Sequence, residues 1–188
     1  GGSEFNAIEL KVGTTDDTSA PFTELQREAQ LELIDLRDVT GSVDVSVDVH
    51  REAAFDNLIG FYQVTDSDGG IDTTGDGIAD VNVGDAGYKQ AALNNRIESL
   101  DLLGTEDGVT TTFNGTFDGG NIIASFMIVD GTVEEALDGT KETYFSYLGA
   151  NTDGTDRIRL LGENTFGYED LTDNDFNDVI VELKFPVV

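Results

Sequence analysis

Between residues 169 and 178 the chain reads EDLTDNDFND. Glu169, Asp170, Asp173, Asp175 and Asp178 fall within this stretch, and no base lies among them. Carboxylates crowded in this way repel one another, and burying them unpaired is costly. A hard divalent cation converts the repulsion into a crosslink, because calcium takes about six to eight oxygen ligands. Asp173, Asp175 and Asn177 recur at every second residue, a spacing that turns loop oxygens toward one centre. Glu169, Asp170 and Asp178 are placed to complete one or two shells. Gatekeeping of a strand edge needs fewer charges than this.

A second acidic stretch, residues 65–88, holds Asp66, Asp68, Asp72, Asp76, Asp80 and Asp85, with no Lys or Arg before Lys89. Within it DTTGDGIAD sets Asp72, Thr74 and Asp76 at alternate positions, then Gly77, then Asp80. That is the order of the first part of an EF-hand calcium loop, where alternate residues ligate and a glycine permits the sharp bend. The match ends at Val83, where an EF-hand requires a bidentate Glu. The expectation is a distorted calcium loop that borrows carboxylates from Asp66, Asp68 or Asp85. A third candidate is GANTDGTDRIRL, where Asn151, Asp153 and Asp156 could hold an ion, or where Asp156 and Arg157 could form a surface pair. Together the clusters predict roughly three to five calcium ions.

The composition narrows the chemistry. Ten bases stand against 38 acids, a net charge of -28. Phosphate binding needs a basic face, so nucleic acid and anionic membrane surfaces are poor partners. There is no cysteine and one histidine, His50, which excludes disulfides, thiolate nucleophiles and soft-metal sites. His50 continues the polar set Asp44, Ser46, Asp48 of a strand, so a catalytic triad has no base to draw on and the chain reads as a non-enzyme. No apolar run is long enough to span a membrane.

The elements that would position these loops are strands. VDVSVDV (43–49) alternates, with Val43, Val45, Val47 and Val49 facing inward. NLIGFYQV (57–64) and IIASFMIV (122–129) are apolar almost throughout and read as fully buried strands. Residues 7–12, 31–36, 109–117, 143–148, 157–161 and 179–185 add further strands. In the last, Val179, Val181, Leu183 and Phe185 share one side. Seven Asp-Gly pairs and one Asn-Gly supply turns. Helical signal is confined to residues 84–97, with Asp85 as N-cap, and to single turns at 132–137 and 22–30. The reading is all-β: an antiparallel β-sandwich, jelly-roll-like, with one or two short helices and long calcium-binding loops. Residues 7–188 form one domain, and residues 1–6 read as a linker or cloning scar.

The C-terminal residues also carry a resemblance. Gly167, Tyr168, Glu169, Asp170 and Leu171, followed by Asp175, Phe176, Asn177, Asp178 and a final strand, resemble the end of a calcium-binding β-sandwich family found in large bacterial surface proteins. Within that family the chain is most similar to the peptide-binding domains of RTX adhesins. The resemblance implies an extracellular module at the bacterial cell surface, monomeric within a longer chain and active in cell adhesion and biofilm formation. It implies calcium-dependent capture of the C-terminal ends of surface proteins on target cells, with a calcium holding the terminal carboxylate. The ligand pocket is then expected where residues 66–88, 85–96 and 151–157 meet, with Tyr88, Asn95, Arg96 and Arg157 as contacts. Two other readings remain open: a calcium-dependent carbohydrate-binding module, with glycans as partners, and a calcium-stiffened spacer with no ligand.

Overall fold

The structure is a computed structural model, and it describes residues 32–186. The expected strand at 7–12 and helical turn at 22–30 lie outside the described residues. Among the described residues, nine strands form two antiparallel sheets. In the first, β1 (Ile34–Asp35), β5 (Ile122–Ile128) and β3 (Leu58–Val64) lie side by side, and β6 (Thr143–Phe145) also pairs with β5. The second runs β4 (Thr110–Asp118), β2 (Ser42–Arg51), β9 (Val179–Lys184), β8 (Thr165–Tyr168), β7 (Ile158–Gly162).

The two sheets pack face to face. Ile59, Phe61, Ile123 and Met127 from the first meet Val45, Val47, Val49, Phe117, Val181 and Leu183 from the second. Phe61 and Phe117 cross edge to face at 5.5 Å. The Tyr168 hydroxyl donates to Ser125 Oγ across the gap at 2.9 Å. The fold is therefore an all-β antiparallel sandwich, as the sequence predicts.

The contrast between alternating and continuous apolar strands has a simple cause. β2 has one face in the core and one in water, so Val45, Val47 and Val49 are buried while Asp44 is exposed. β5 is buried at every position. Its second face is covered by α1 (Tyr88–Asn94) and α2 (Val133–Asp138), which seat Ala91, Ala92, Leu93 and Ala136 against Phe126, Phe145 and Tyr62.

Three departures from expectation stand out. α1 starts three residues beyond Asp85, with Gly87 at its N-cap. Asp85 instead accepts the Asn82 amide at 2.8 Å. β6 stops at Phe145 because the Asn151 side chain takes both backbone groups of that residue, at 2.7 and 3.0 Å. β8 was not expected at all; its four residues include a glycine, and its partners β7 and β9 supply the pairing. α2 follows its sequence signal closely, with a reciprocal Thr132–Glu135 capping box.

Candidate metal centre

Adjacent strands β8 and β9 are joined by the ten residues 169–178. The loop is wound around one side chain. Glu169, 1% exposed, accepts the Leu171 amide on Oε1 at 3.0 Å and the Asp175 and Phe176 amides on Oε2 at 3.2 and 3.4 Å. Its own amide donates to the Arg157 carbonyl at 2.9 Å, which prolongs the β7–β8 pairing to the edge of the site. Two non-glycine residues, Asn174 and Phe176, adopt left-handed φ values of 63° and 54° to complete the winding. The Phe176 ring is buried under the Arg159 guanidinium, 4.0 Å away. Gly167 is needed beneath it, since a Cβ there would lie 2.3 Å from the Phe176 carbonyl oxygen.

The winding gathers the carboxylates into two triplets that share Glu169. One oxygen each of Glu169, Asp173 and Asp175 lies within 4.8 Å of the others, and the same holds for Glu169, Asp170 and Asp178. Oxygens facing each other across a calcium ion stand about 4.6–5.2 Å apart, so both triplets suit one ion each. The first triplet is the outer one, since Asp173 and Asp175 are exposed. The second is deeper: Asp170 is buried and Asp178 half-buried. Asp170 Oδ2 accepts from Asn57 Nδ2 at 2.6 Å, and the Asp170 amide donates to Asp178 Oδ2 at 2.7 Å.

Among the described residues, no Lys, Arg or His forms an ion pair with any of these five carboxylates. Burial pushes the Asp178 carboxyl up to about 7, and the charges of Asp170 and Glu169 add to the rise. A divalent cation would remove that penalty. The donor set contains only oxygen, which suits calcium, and its crowding suits a large ion better than magnesium.

The other clusters behave differently. Among the described residues, no three carboxylates of the 65–88 stretch come within 4.8 Å. Asp72 accepts the amides of Gly77 and Gly75, both at 2.6 Å, and of Thr74 at 2.9 Å; these bonds hold its carboxyl below the usual range. Asp80 accepts from the Thr73 amide and hydroxyl and is likewise lowered. Asp76, Asp85 and Asp66 each accept a nearby amide, and Asp68 makes no side-chain contact of that kind. The stretch is thus a set of nested turns built on its own carboxylates. In the third cluster, Asn151 is a clasp: Oδ1 takes the Phe145 amide, and Nδ2 donates to the Phe145 and Thr155 carbonyls. Asp153 pairs with Arg157 and Asp156 with Arg159, in place of the Asp156–Arg157 pair that stood as the alternative to an ion site.

The four residues expected to contact ligand are each engaged locally. Tyr88 is buried, with its hydroxyl donating to the Gly69 carbonyl and lying 3.0 Å from that of Tyr62. Asn95 donates to the Ala91 carbonyl. Arg96 pairs with Asp101 at 2.6 Å. Arg157, 5% exposed, donates to the Leu171 carbonyl, pairs with Asp153 at 2.6 Å and stacks over Tyr144 at 4.3 Å. It braces the start of the 169–178 loop. Sequence reasoning missed Asn57, and no local signal pointed to it: 113 residues separate it from Asp170.

Residues 117–186 match the family described as Domain of unknown function (DUF4114). The matched segment runs from the end of β4 through β9 and contains all five carboxylates of the centre. No curated protein matches the chain. Among solved structures, the chain shows a likeness to the lectin CV2L of Chromobacterium violaceum, crystallised with α-methyl-fucoside. The identity is 15%, the likeness covers 79% of this chain and 98% of the lectin, and the TM-score is 0.34. Among the described residues, no helix is long and apolar enough to cross a membrane.

Proposed function

We propose that this chain is a calcium-dependent ligand-binding module of a large bacterial RTX surface adhesin. The observation that supports it is the gathering of five unpaired carboxylates around buried Glu169. The two triplets suggest a division of labour. A calcium held by Glu169, Asp170 and Asp178 sits deep and fastens the β8–β9 connection. One held by Glu169, Asp173 and Asp175 faces water, which leaves its shell open to oxygens from outside the chain. A free carboxylate is a strong candidate for the vacant positions, and the C-terminal end of a partner protein supplies one. Such an ion also lets a chain of net charge -28 bind an anionic tail.

A glycan is the second reading. It draws on a shallow groove of about 440 Å³ at one end of the five-stranded sheet, lined by Asp44, Ser46, Asn114 and Lys184 beside Phe185 and Pro186. Polar groups beside an apolar wall suit a sugar, and the groove stands at the end of β9 away from the carboxylates, so this reading does not draw on the metal centre.

The test is calorimetric titration with short peptides, as free acids and as C-terminal amides, in calcium and in chelator, together with a glycan array. Binding of the free acid alone, and only in calcium, supports carboxylate capture. Equal affinity for acid and amide refutes it. Glycan hits without peptide hits favour the lectin reading, and calcium uptake with no ligand at all leaves a stiffened spacer.

A further inference from the structure

Asn57 stands immediately before β3, at the end of the first sheet, whereas the carboxylates stand between β8 and β9 of the second. Its side chain is 2% exposed. Nδ2 donates to Asp170 Oδ2 at 2.6 Å, which places the amide against the deeper triplet. Oδ1 is buried and has no hydrogen-bond partner. The Asp170 contact also fixes which end of the amide is which, because a carboxylate oxygen requires a donor opposite it. The unsatisfied atom is therefore an acceptor, on an amide whose other end touches Asp170, one of three carboxylates that have no counter-ion.

A buried acceptor in that position is anomalous without a cation and expected with one. Calcium shells combine carboxylates with neutral amide and carbonyl oxygens, which raise the coordination number without raising the charge. We infer that Asn57 is a ligand of the deeper cation, supplying a neutral oxygen through Oδ1 from the sheet opposite the carboxylates. The ion then joins the two sheets as well as closing a loop. This inference rests on the calcium reading above.

Two measurements on the full chain separate the inference from that reading. Calcium affinity is measured by calorimetry for the wild type, Asn57→Ala and Asn57→Asp. Water bound to the ion is counted from europium luminescence lifetimes in H2O and D2O, in a background carrying Asp173→Ala and Asp175→Ala so that the deeper site alone is filled. Asn57→Ala should weaken calcium binding about 10–100-fold and add about one water to the ion. Asn57→Asp keeps an oxygen in place and should hold the original water count. Unchanged affinity in Asn57→Ala overturns the inference, and so does weakened affinity without an added water, which reduces Asn57 to orienting Asp170. If Asn57→Ala does not fold, an extra water in Asn57→Asp overturns it equally. A wild-type chain that takes up no calcium refutes the calcium reading itself, a separate and recognisable result.

Discussion

Replacing Asp178 by Asn should move stability in opposite directions with and without calcium. The Asp178 carboxyl is raised from 3.8 to about 7, by burial first and by Asp170 and Glu169 next. Folding without metal at pH 8 therefore forces a charge into a place that resists it. An unscreened shift of this size corresponds to about 4 kcal/mol. The group is half open to water, and screening reduces the figure to about 1 kcal/mol. Asn keeps the acceptor for the Asp170 amide and removes the charge. In chelator at pH 8, Asp178→Asn should melt about 2–4 °C above the wild type. In saturating calcium the order should reverse, because the variant has lost a ligand. A wild-type site at 100 times its Kd gains about 2.7 kcal/mol, or roughly 5–11 °C.

The pH dependence carries the same sign. A raised carboxyl means the folded state binds the proton more tightly than the unfolded chain. Its contribution is thus complete near pH 4 and is lost as pH rises toward 7. The metal-free protein should lose stability over that window, and calcium should stabilise it most above the window. Differential scanning calorimetry at several pH values, with calcium and with chelator, is the assay. A variant that melts below the wild type in chelator, with an undiminished calcium response, would refute the electrostatic account.

Other outcomes follow from single contacts. Arg157→Ala should cost about 3 kcal/mol in urea unfolding, because it strips the Leu171 carbonyl and Asp153 of a buried partner. Gly167→Ala should lower the melting temperature and weaken calcium binding together, since the new Cβ meets the Phe176 carbonyl and must displace the metal loop. Burial, with a further push from Asp156, raises the Glu32 carboxyl well above its ordinary value. Glu32→Gln should therefore stabilise the chain at pH 8 and have little effect at pH 4, as thermal melts at the two values will show.

The layers of this fold were legible because burial imposes a period. Val45, Val47 and Val49 announce a one-faced strand, and the unbroken apolar run of β5 announces one covered on both sides. The gathering of carboxylates at 169–178 was legible because they are close in sequence and the loop winds largely on local bonds to Glu169. The 65–88 stretch is ambiguous for the same reason. Alternating Asp and Gly satisfy a calcium loop and a series of amide-accepting turns equally well, and spacing cannot distinguish them. Asn151 looked like a ligand because its type is right, yet both ends of its amide serve the backbone. Arg157 and Asn57 act through tertiary contacts, so their roles were beyond the reach of any local pattern.

One further consequence attaches to β5. It pairs with β3 along its whole length on one side and shares its other side between β1 and β6, while both of its faces are covered. Its amide protons should exchange with deuterium only when the whole molecule opens, whereas those of Leu171, Asp175 and Phe176 depend on the loop's own winding around Glu169. The chain thus carries two clocks. An additive that slows the second without touching the first acts on the loop, and one that slows both has become part of the fold.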